Sequence, residues 1–247
     1  MSQYSLKFDH ETRGWVDLIP LRKPQPNLTS NLDARWLVIG AGYTGLSCAR
    51  RLAELNPNEK IVLLDAREVG QSASGRNSGY VVAHSHFSGG YQRDQLGQYE
   101  RIDRINQAGL ESLKSIINKS HIHCDFKESG IYHMAADLSS SLECDYFIDY
   151  LEKREIKHTP LAQDQIHLEL GTKWYQKGVK VHNGALVQPA QLVFGLADNL
   201  PNNVELYENS PVIDMRLGKI NTLRTPNSTI RAENVIMACN YEPLVSG

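Results

Sequence analysis

Residues 36–65 read WLVIGAGYTGLSCARRLAELNPNEKIVLLD, and this stretch decides the fold. Four features follow one another in it: an apolar run at 36–39, a G-x-G-x-x-G turn at 40–45, an amphipathic stretch at 46–54 and a second apolar run at 61–64 that ends in Asp65. This order predicts a strand, a tight turn, a helix and a second, parallel strand.

The glycines and the acid of this unit have the spacing of a dinucleotide-binding turn. Gly40 permits a sharp turn, Gly42 lets the backbone approach a pyrophosphate, and Gly45 allows close packing of the helix on the strand. The helix start offers N–H groups and a partial positive charge to phosphates. Asp65, twenty residues after Gly45, is placed to accept hydrogen bonds from a ribose. The unit therefore predicts a bound dinucleotide.

Two questions stay open at this point. The same unit could use its glycines for packing alone, with no ligand. If a dinucleotide is bound, Asp65 suits the adenosine ribose of either NAD or FAD, and it disfavours NADP because it would repel the 2′-phosphate. Arg67 could soften that repulsion, although an arginine after a strand is more often solvated.

Composition excludes several classes of protein. The chain has 247 residues, is 41% hydrophobic and carries a net charge of −2, so it can bury a normal core and has no broad basic face for nucleic acid. Its four cysteines have no disulfide-framework spacing, and its first residues are unlike a signal peptide, which favours a reducing, cytoplasmic setting. No apolar run approaches the ~20 residues of a transmembrane helix.

Periodicity outlines the rest of the chain. Residues 96–119, 140–154 and 188–200 have helical patterns, the last with Pro189 in its first turn. Strands are predicted in the following places: 121–126, 130–135, two pieces around Gly178 and Gly184, and 204–207, 212–215, 220–223 and 235–238. The N-terminal residues contain Pro20, Pro24 and Pro26, which indicates an arm that wraps the domain or stays mobile.

A second motif follows the first unit. Residues 73–79 read ASGRNSG and residues 40–47 read GAGYTGLS. Together they resemble the FAD-dependent D-amino-acid oxidase-like superfamily, and within it the gamma-glutamylputrescine oxidase branch, which has GGGYTGLS and ASGRNGG in these places. Ala41 and Ser78 replace glycines of that branch. Weaker matches at 128–131, 188–189 and 235–240 extend the resemblance from about Ala34 to the end of the chain.

The resemblance implies an α/β fold: a Rossmann-like FAD-binding domain of the glutathione-reductase type, with a partial α+β substrate domain inserted. The corresponding parts are an arm at 1–32, the FAD-binding domain at 33–118 and 186–247, and the substrate domain at 119–185. It also implies FAD as the cofactor and a set of cofactor-binding residues: Gly40, Ala41, Gly42, Tyr43, Thr44, Gly45, Asp65, Ala66, Arg67, Ser74, Arg76, Asn77, Ser78, Gly79, Val212, Ala238 and Cys239.

The function implied is oxidation of an amine or amino acid, in which the carbon bearing the nitrogen gives a hydride to flavin N5. Members of the family are considerably longer, so the chain looks like the N-terminal part, without much of the substrate pocket, and we name no catalytic residue. An alternative is a truncated, non-catalytic flavin-binding remnant whose strand edge beside residues 235–239 is exposed and needs an oligomer or completing chain. A further alternative is an NAD-dependent dehydrogenase.

Several smaller features have less specific readings. The serine- and glycine-rich segment could be a solvated connection, Arg76 a surface charge and Cys239 a small core residue. His84 or His86 could carry a flavin covalently, or could be ordinary polar residues. His121, His123 and Cys124 resemble a metal cluster, but on a strand Cys124 would face away from the histidines, so no metal site is predicted.

Overall fold

A computed structural model of the chain describes residues 14–20, 22–84 and 96–240, with the side chain of Leu96 left out. In chain order the elements are β1 (Leu32–Ile39), α1 (Tyr43–Leu55), β2 (Ile61–Leu64), a 3₁₀ turn (Ala73–Gly75), β3 (Tyr80–Val81), α2 (Leu96–Lys119), β4 (Ile131–Ala135), α3 (Leu138–Lys153), β5 (His158–Ala162), α4 (Gln163–Leu170), β6 (Lys177–Val181), β7 (Ala185–Leu186), α5 (Pro189–Asp198), β8 (Val204–Tyr207), β9 (Asp214–Arg216), β10 (Asn221–Arg224) and β11 (Thr229–Met237).

The described residues form two compact units. The first contains the chain up to Ser78, Ile122–Cys124 and the chain from Gln188 onwards; the second contains Gly79–His121 and Asp125–Val187. Helix α2 belongs to the second unit. The division expected from the sequence, with a cofactor domain at 33–118 and 186–247 and a substrate domain at 119–185, stays a prediction.

The first unit is built on a six-stranded sheet in the order β8-β2-β1-β11-β10-β9. Strands β8, β2, β1 and β11 are parallel, whereas β10 and β9 join as antiparallel strands. Every residue of β2 is fully buried, as a strand covered on both faces requires. The predicted strand–turn–helix–strand unit is confirmed, with β1 at the centre of the parallel part.

Helices α1 and α5 each bury an apolar face. Leu46, Ala49 and Ala53 are buried in α1, which confirms the amphipathic stretch predicted at 46–54. Helix α5 has Pro189 at its first turn and Gln188 at its N-cap, whose side chain accepts a hydrogen bond from the Gln191 amide. Proline costs nothing at that position because its missing N–H would have no partner within the helix.

The second unit has a three-stranded antiparallel sheet in the order β4-β6-β5 and a two-stranded piece, β3-β7. Helix α3 packs on the larger sheet, and its Phe147, Tyr150 and Leu151 join Val179 and Val181 of β6 in one buried cluster. Helix α2 spans the range predicted from its periodicity.

The strand predicted at residues 121–126 is wrong. His121 and Asp125 have φ angles of 50° and 48°, which a strand does not allow. The alternation that suggested a strand arises because Ile122 and Cys124 are buried in an irregular segment between exposed histidines.

Strand β5 and helix α4 were not predicted. Pro160 lies within β5, which removes a ladder donor and makes the sequence look unlike a strand. The proline is tolerated because β5 is at the edge of its sheet. Helix α4 is short, and its Leu168 is exposed, so the apolar stripe that would reveal a helix is weak.

The segment that precedes β1 packs on the first unit over its described residues. Val16 and Leu28 are buried, and Leu28 is part of the core on one face of the large sheet. This part of the arm therefore wraps the domain, one of the two behaviours expected for it.

Within the described residues, none of the helices has the length and apolar character needed to cross a membrane.

Candidate functional site

The candidate site lies at the carboxyl ends of β1, β2 and β11, the edge where open parallel sheets bind their ligands. A cavity of about 560 Å³ opens there within the first unit. Its lining residues come from five stretches of chain and are Ile39, Gly40, Gly42, Tyr43, Thr44, Leu64, Asp65, Ala66, Arg67, Gln71, Ser72, Ala73, Ser74, Arg76, Ser210, Pro211, Val212, Met237, Ala238, Cys239 and Asn240.

The glycine turn is held by contacts that leave no space for side chains. Gly40 has φ +102°, and a Cβ there would lie 2.6 Å from the Ala238 carbonyl oxygen. A Cβ on Gly45 would lie 1.7 Å from the Gly40 carbonyl oxygen. The roles predicted for these two glycines, a sharp turn and close packing of the helix, are those that the backbone requires here.

Helix α1 begins at this turn with an open N-terminus. Its N-cap is Gly42, which has no side chain to cap the first amides. Four amides at a helix start lack partners within the helix, and the helix dipole makes this end attractive to anions. Of these amides, that of Tyr43 donates to Ser74 Oγ at 3.1 Å. The turn can therefore accept an anionic group beside Ser74.

Asp65 ties the end of β2 to the glycine turn. Its Oδ2 accepts a hydrogen bond from the Ala41 amide at 2.6 Å, and its Oδ1 accepts one from the Arg67 amide at 2.9 Å. Burial raises the pKa of Asp65 to about 6, against the effect of these two amides, and the charge of Glu208 adds to the rise. The carboxylate thus shapes the turn as well as lining the cavity.

The serine-rich segment folds into the cavity wall through the 3₁₀ turn. Asn77 stays behind this wall, where its side-chain amide donates to the Ala73 and Ser74 carbonyls at 3.3 and 2.9 Å. The Trp15 ring N–H donates to the Asn77 carbonyl at 2.8 Å. The segment is an ordered part of the site rather than a solvated connection.

Most of the residues predicted from the sequence come together in this cavity. The exceptions are Ala41 and Gly45, which are buried behind the turn, Asn77, which supports the wall, Ser78, which is exposed, and Gly79, which begins the second unit. Whether the lining residues bind a cofactor stays a prediction.

Sequence reasoning missed part of the lining. Ser210 and Pro211 come from the connection between β8 and β9, directly before the predicted Val212. Their only signal was this adjacency, because the turn has no motif of its own. Gln71 and Ser72 lie in the serine-rich segment, but the resemblance gave them no role.

The described histidines among these candidates fall outside the cavity lining. His84 belongs to the second unit, where its Nδ1 lies 3.7 Å from Asp103 Oδ2, and His86 lies outside the described residues. His121 and His123 are exposed whereas Cys124 is buried. Across the part of the chain that the structure describes, we find no group of three or more candidate metal ligands.

The parallel sheet, the glycine turn and the cavity at its carboxyl edge define an α/β protein of the dinucleotide-binding type. Residues 35–245 match the family described as FAD dependent oxidoreductase (DAO), and the chain belongs to this family.

Curated relatives support the same assignment over half of their length. The chain is 29% identical over 231 residues to a probable oxidoreductase OrdL of Haemophilus influenzae, with 87% of this chain and 51% of the relative covered. It is 27% identical over 227 residues to gamma-glutamylputrescine oxidoreductase of Escherichia coli K12, with 88% and 51% covered. The chain thus spans about half the length of the curated relatives it matches.

Solved structures share the fold at low sequence identity. Glycine oxidase from Geobacillus kaustophilus superposes with a TM-score of 0.69 at 18% identity, covering 83% of this chain and 55% of that one. L-amino acid deaminase from Proteus myxofaciens also gives a TM-score of 0.69, at 17% identity, with 88% and 47% covered. The expected fold class, a mixed α/β fold with a parallel-sheet core, is confirmed.

Proposed function

We propose that this chain binds FAD and belongs to an enzyme that oxidises the C–N bond of an amine or amino acid, as the names of its relatives suggest for them. The observation that carries the proposal is one cavity that joins the glycine turn, Asp65 and the 72–76 segment. Relatives named as an oxidoreductase of gamma-glutamylputrescine and an oxidase of glycine make a small amine or amino acid the natural substrate class.

The lining residues fit the adenosine and pyrophosphate half of FAD. The open start of α1 suits the pyrophosphate, since its amides and dipole favour negative charge. Asp65 suits the ribose hydroxyls as an acceptor, and the backbone of Val212, whose side chain is buried in the core, suits the adenine. A Cβ on Gly42 would lie 2.8 Å from Ser74 Oγ, so the glycine turn and the serine-rich segment lie close together.

The chemistry that a bound flavin supplies is acceptance of a hydride from the carbon that bears the nitrogen, which leaves an imine. The described residues would bind the FAD and fix its orientation for such a reaction. The proposal names no catalytic residue among them.

Purified protein tests the cofactor directly. We expect a yellow protein with a flavin spectrum, or a colourless one that takes up added FAD. Asp65→Ala should weaken FAD binding, whereas Asp33→Ala should leave it unchanged because Asp33 is an exposed acid at the start of β1, outside the cavity lining. A protein that takes up no FAD, or that binds NAD in preference to FAD, would contradict the proposal.

A second candidate is a flavin-binding domain that needs another chain or segment for catalysis. Among the described residues, β10 pairs with β11 only as far as Ala232, so Asn234–Met237 have a strand partner on the β1 side alone. A backbone edge with unused donors and acceptors can take up a further strand. This one-sided pairing supports the edge expected from the sequence beside residues 235–239.

Anaerobic mixing with candidate amines or amino acids separates the two. Bleaching of the flavin by substrate without added partner favours the complete enzyme. Bound FAD that no substrate reduces favours the partial domain.

We also propose a reducing setting such as the cytoplasm, consistent with four cysteines that carry no disulfide.

A further inference from the structure

A buried ion pair lies directly behind the cavity wall. The Glu208 carboxylate, which follows β8, is completely buried, and Arg22 of the arm has a side chain only 8% exposed. Arg22 Nη1 donates to both carboxylate oxygens, at 2.9 and 2.8 Å. Arg22 lies before residue 35, where the match to the family begins. The pair therefore links the arm to the core of the first unit.

Glu208 uses the same carboxylate to hold the segment after Asp65. Its Oε1 accepts a hydrogen bond from the Val69 amide at 2.5 Å, and its Oε2 accepts one from the Gln25 amide. Val69 is two residues beyond Arg67, which lines the cavity. A shift of Glu208 would thus be transmitted along a short, half-buried stretch of chain to the cavity wall.

Backbone contacts join the same two segments. The Asn209 amide donates to the Arg67 carbonyl at 3.2 Å, and the Ser210 amide donates to the Asp65 carbonyl at 2.8 Å. Ser210 Oγ accepts from the Leu28 amide of the arm at 2.9 Å. The arm thus holds residues 208–210 through Glu208 and Ser210, and both cavity segments meet there.

Arg22 also contacts α5, which packs against the serine-rich segment of the cavity wall. Its Nε donates to Asp198 at 2.7 Å, and its guanidinium lies 5.8 Å from the centre of the Phe194 ring. A Cβ on Gly70 would lie 2.6 Å from Phe194, and one on Gly75 would lie 2.1 Å from the Gly70 carbonyl oxygen. A chain of close contacts therefore runs from Arg22 through Phe194 and Gly70 to Gly75, which belongs to the 72–76 segment.

We propose that Arg22 is a positioning residue for the cofactor cavity, acting through Glu208 on the segment from Asp65 to Val69. The proposal rests on the proposed function for its ligand, FAD. The physical reason is that a fully buried carboxylate without its counter-ion is costly, so Glu208 would move towards water. That movement weakens the hold of Glu208 on the Val69 amide, and the adenosine end of the cavity loses its fixed geometry.

The test compares Arg22→Met with Arg35→Met, a matched change at an exposed ion pair outside the cavity lining. Far-UV circular dichroism and unfolding of the FAD-free protein establish that each variant folds. We expect Arg22→Met to raise the Kd for FAD about tenfold or more, whereas Arg35→Met stays within about twofold of the parent.

The double variant Arg22→Met/Glu208→Gln tests the route. Its glutamine oxygen can still accept from the Val69 amide without a buried charge, although the Gln25 amide loses its acceptor, so it should recover part of the lost affinity. A folded Arg22→Met protein with the affinity of the parent would overturn the proposal. So would a double variant that is weakened as much as Arg22→Met alone, since Arg22 would then not act through Glu208.

Arg22→Lys replaces Arg22→Met if the latter does not fold. Lysine keeps the charge but lacks the planar guanidinium that bonds Asp198 and Glu208 at the same time. We therefore expect a Kd for FAD several-fold higher than with Arg35→Lys. Equal Kd values for these two variants would overturn the proposal.

Amide hydrogen exchange of the FAD-free protein gives a readout that needs no cofactor. Exchange at Arg67 and Val69 should rise in the Arg22 variant and not in the Arg35 variant. Unchanged exchange at both amides would overturn the positioning role. Absence of FAD binding by the parent chain, with exchange altered as expected, would contradict only the proposed function.

Discussion

Asp65 shows how one side chain can serve both the fold and the site. Its oxygens accept from the amides of Ala41 and Arg67, so part of its hydrogen-bonding capacity is spent on the backbone of the turn. A carboxylate has about four lone-pair sites, which leaves capacity for ribose hydroxyls. The acid predicted from the dinucleotide motif is therefore also a brace for the glycine turn.

This position makes FAD binding depend on pH. Burial raises the pKa of Asp65 from its ordinary value of 3.8 to about 6, so the FAD-free fold loses stability as the pH rises between these values. Ribose hydroxyls donate to the ionised form, so FAD affinity should rise as the pH passes about 6. Flavin fluorescence titrations from about pH 5 to about pH 8 measure this step. Asp65→Asn should abolish it; a step of equal size in that variant would assign it to another group.

Gly45 offers a second test at the residue scale. In Gly45→Ala the new Cβ would lie 1.7 Å from the Gly40 carbonyl oxygen, so α1 must move away from the turn. We expect a loss of about 3 kcal/mol or more in the free energy of unfolding, and loss of FAD binding.

Gly109→Ala is the matched control. Gly109 is an exposed residue inside α2, and a Cβ there meets nothing within 4 Å. This variant should gain about 0.5–1 kcal/mol because alanine favours the helix. Denaturant unfolding compares the two; equal effects would show that the contact at Gly45 is relaxed without cost.

At the scale of elements, α2 and α3 are joined by a buried hydrogen bond. The Tyr150 hydroxyl donates to Asp103, and both side chains are almost completely buried. Burial raises the pKa of Tyr150, and the Asp103 hydrogen bond raises it further, so the phenol remains a donor. The pair thus links the two helices inside the second unit.

Tyr150→Phe should therefore destabilise the second unit. The buried Asp103 carboxylate loses a charge-assisted donor, which we expect to cost about 2 kcal/mol in denaturant unfolding. Tyr132→Phe is the comparison, because the Tyr132 hydroxyl donates to Glu169 at the surface and its loss should cost at most ~0.5 kcal/mol. Similar losses in both variants would show that burial adds nothing to the Tyr150 pair.

At the scale of the whole molecule, the described chain consists of two units, each with its own buried cluster. The cavity is lined by the first unit alone. Ligand binding there should consequently act on the stability of this unit.

FAD should stabilise the folded chain by mass action. At an FAD concentration of one hundred times Kd, the expected gain is about 2.7 kcal/mol. Hydrogen exchange should slow at the amides of residues 42–45 and 65–67, and at those of Ser210 and Val212, when FAD is added. Protection of these amides by NAD instead would favour the dehydrogenase reading, and protection by neither would contradict a dinucleotide site.

Strong local signals made much of the fold predictable. The strand–turn–helix–strand unit of β1, α1 and β2 was predicted from four features in order, and α2 was predicted from its helical period over its full length. Weak or misleading signals failed: β5 contains a proline, α4 has little apolar stripe, and the alternation at 121–126 came from burial of Ile122 and Cys124 without a ladder. The site followed the same rule, since motif residues were found and the turn residues Ser210 and Pro211 were missed.

The sequence by itself determined the strand–turn–helix–strand unit and the family, because glycine spacing and apolar period are local properties of the chain. Only the tertiary structure decided which distant segments meet the turn. Ser74 lies under the Tyr43 amide, Glu208 holds Val69, and Arg22 neutralises Glu208, although these residues are far apart in the chain. Such contacts depend on the order of strands in the sheet and on which buried charge must be compensated, and a local sequence pattern contains neither.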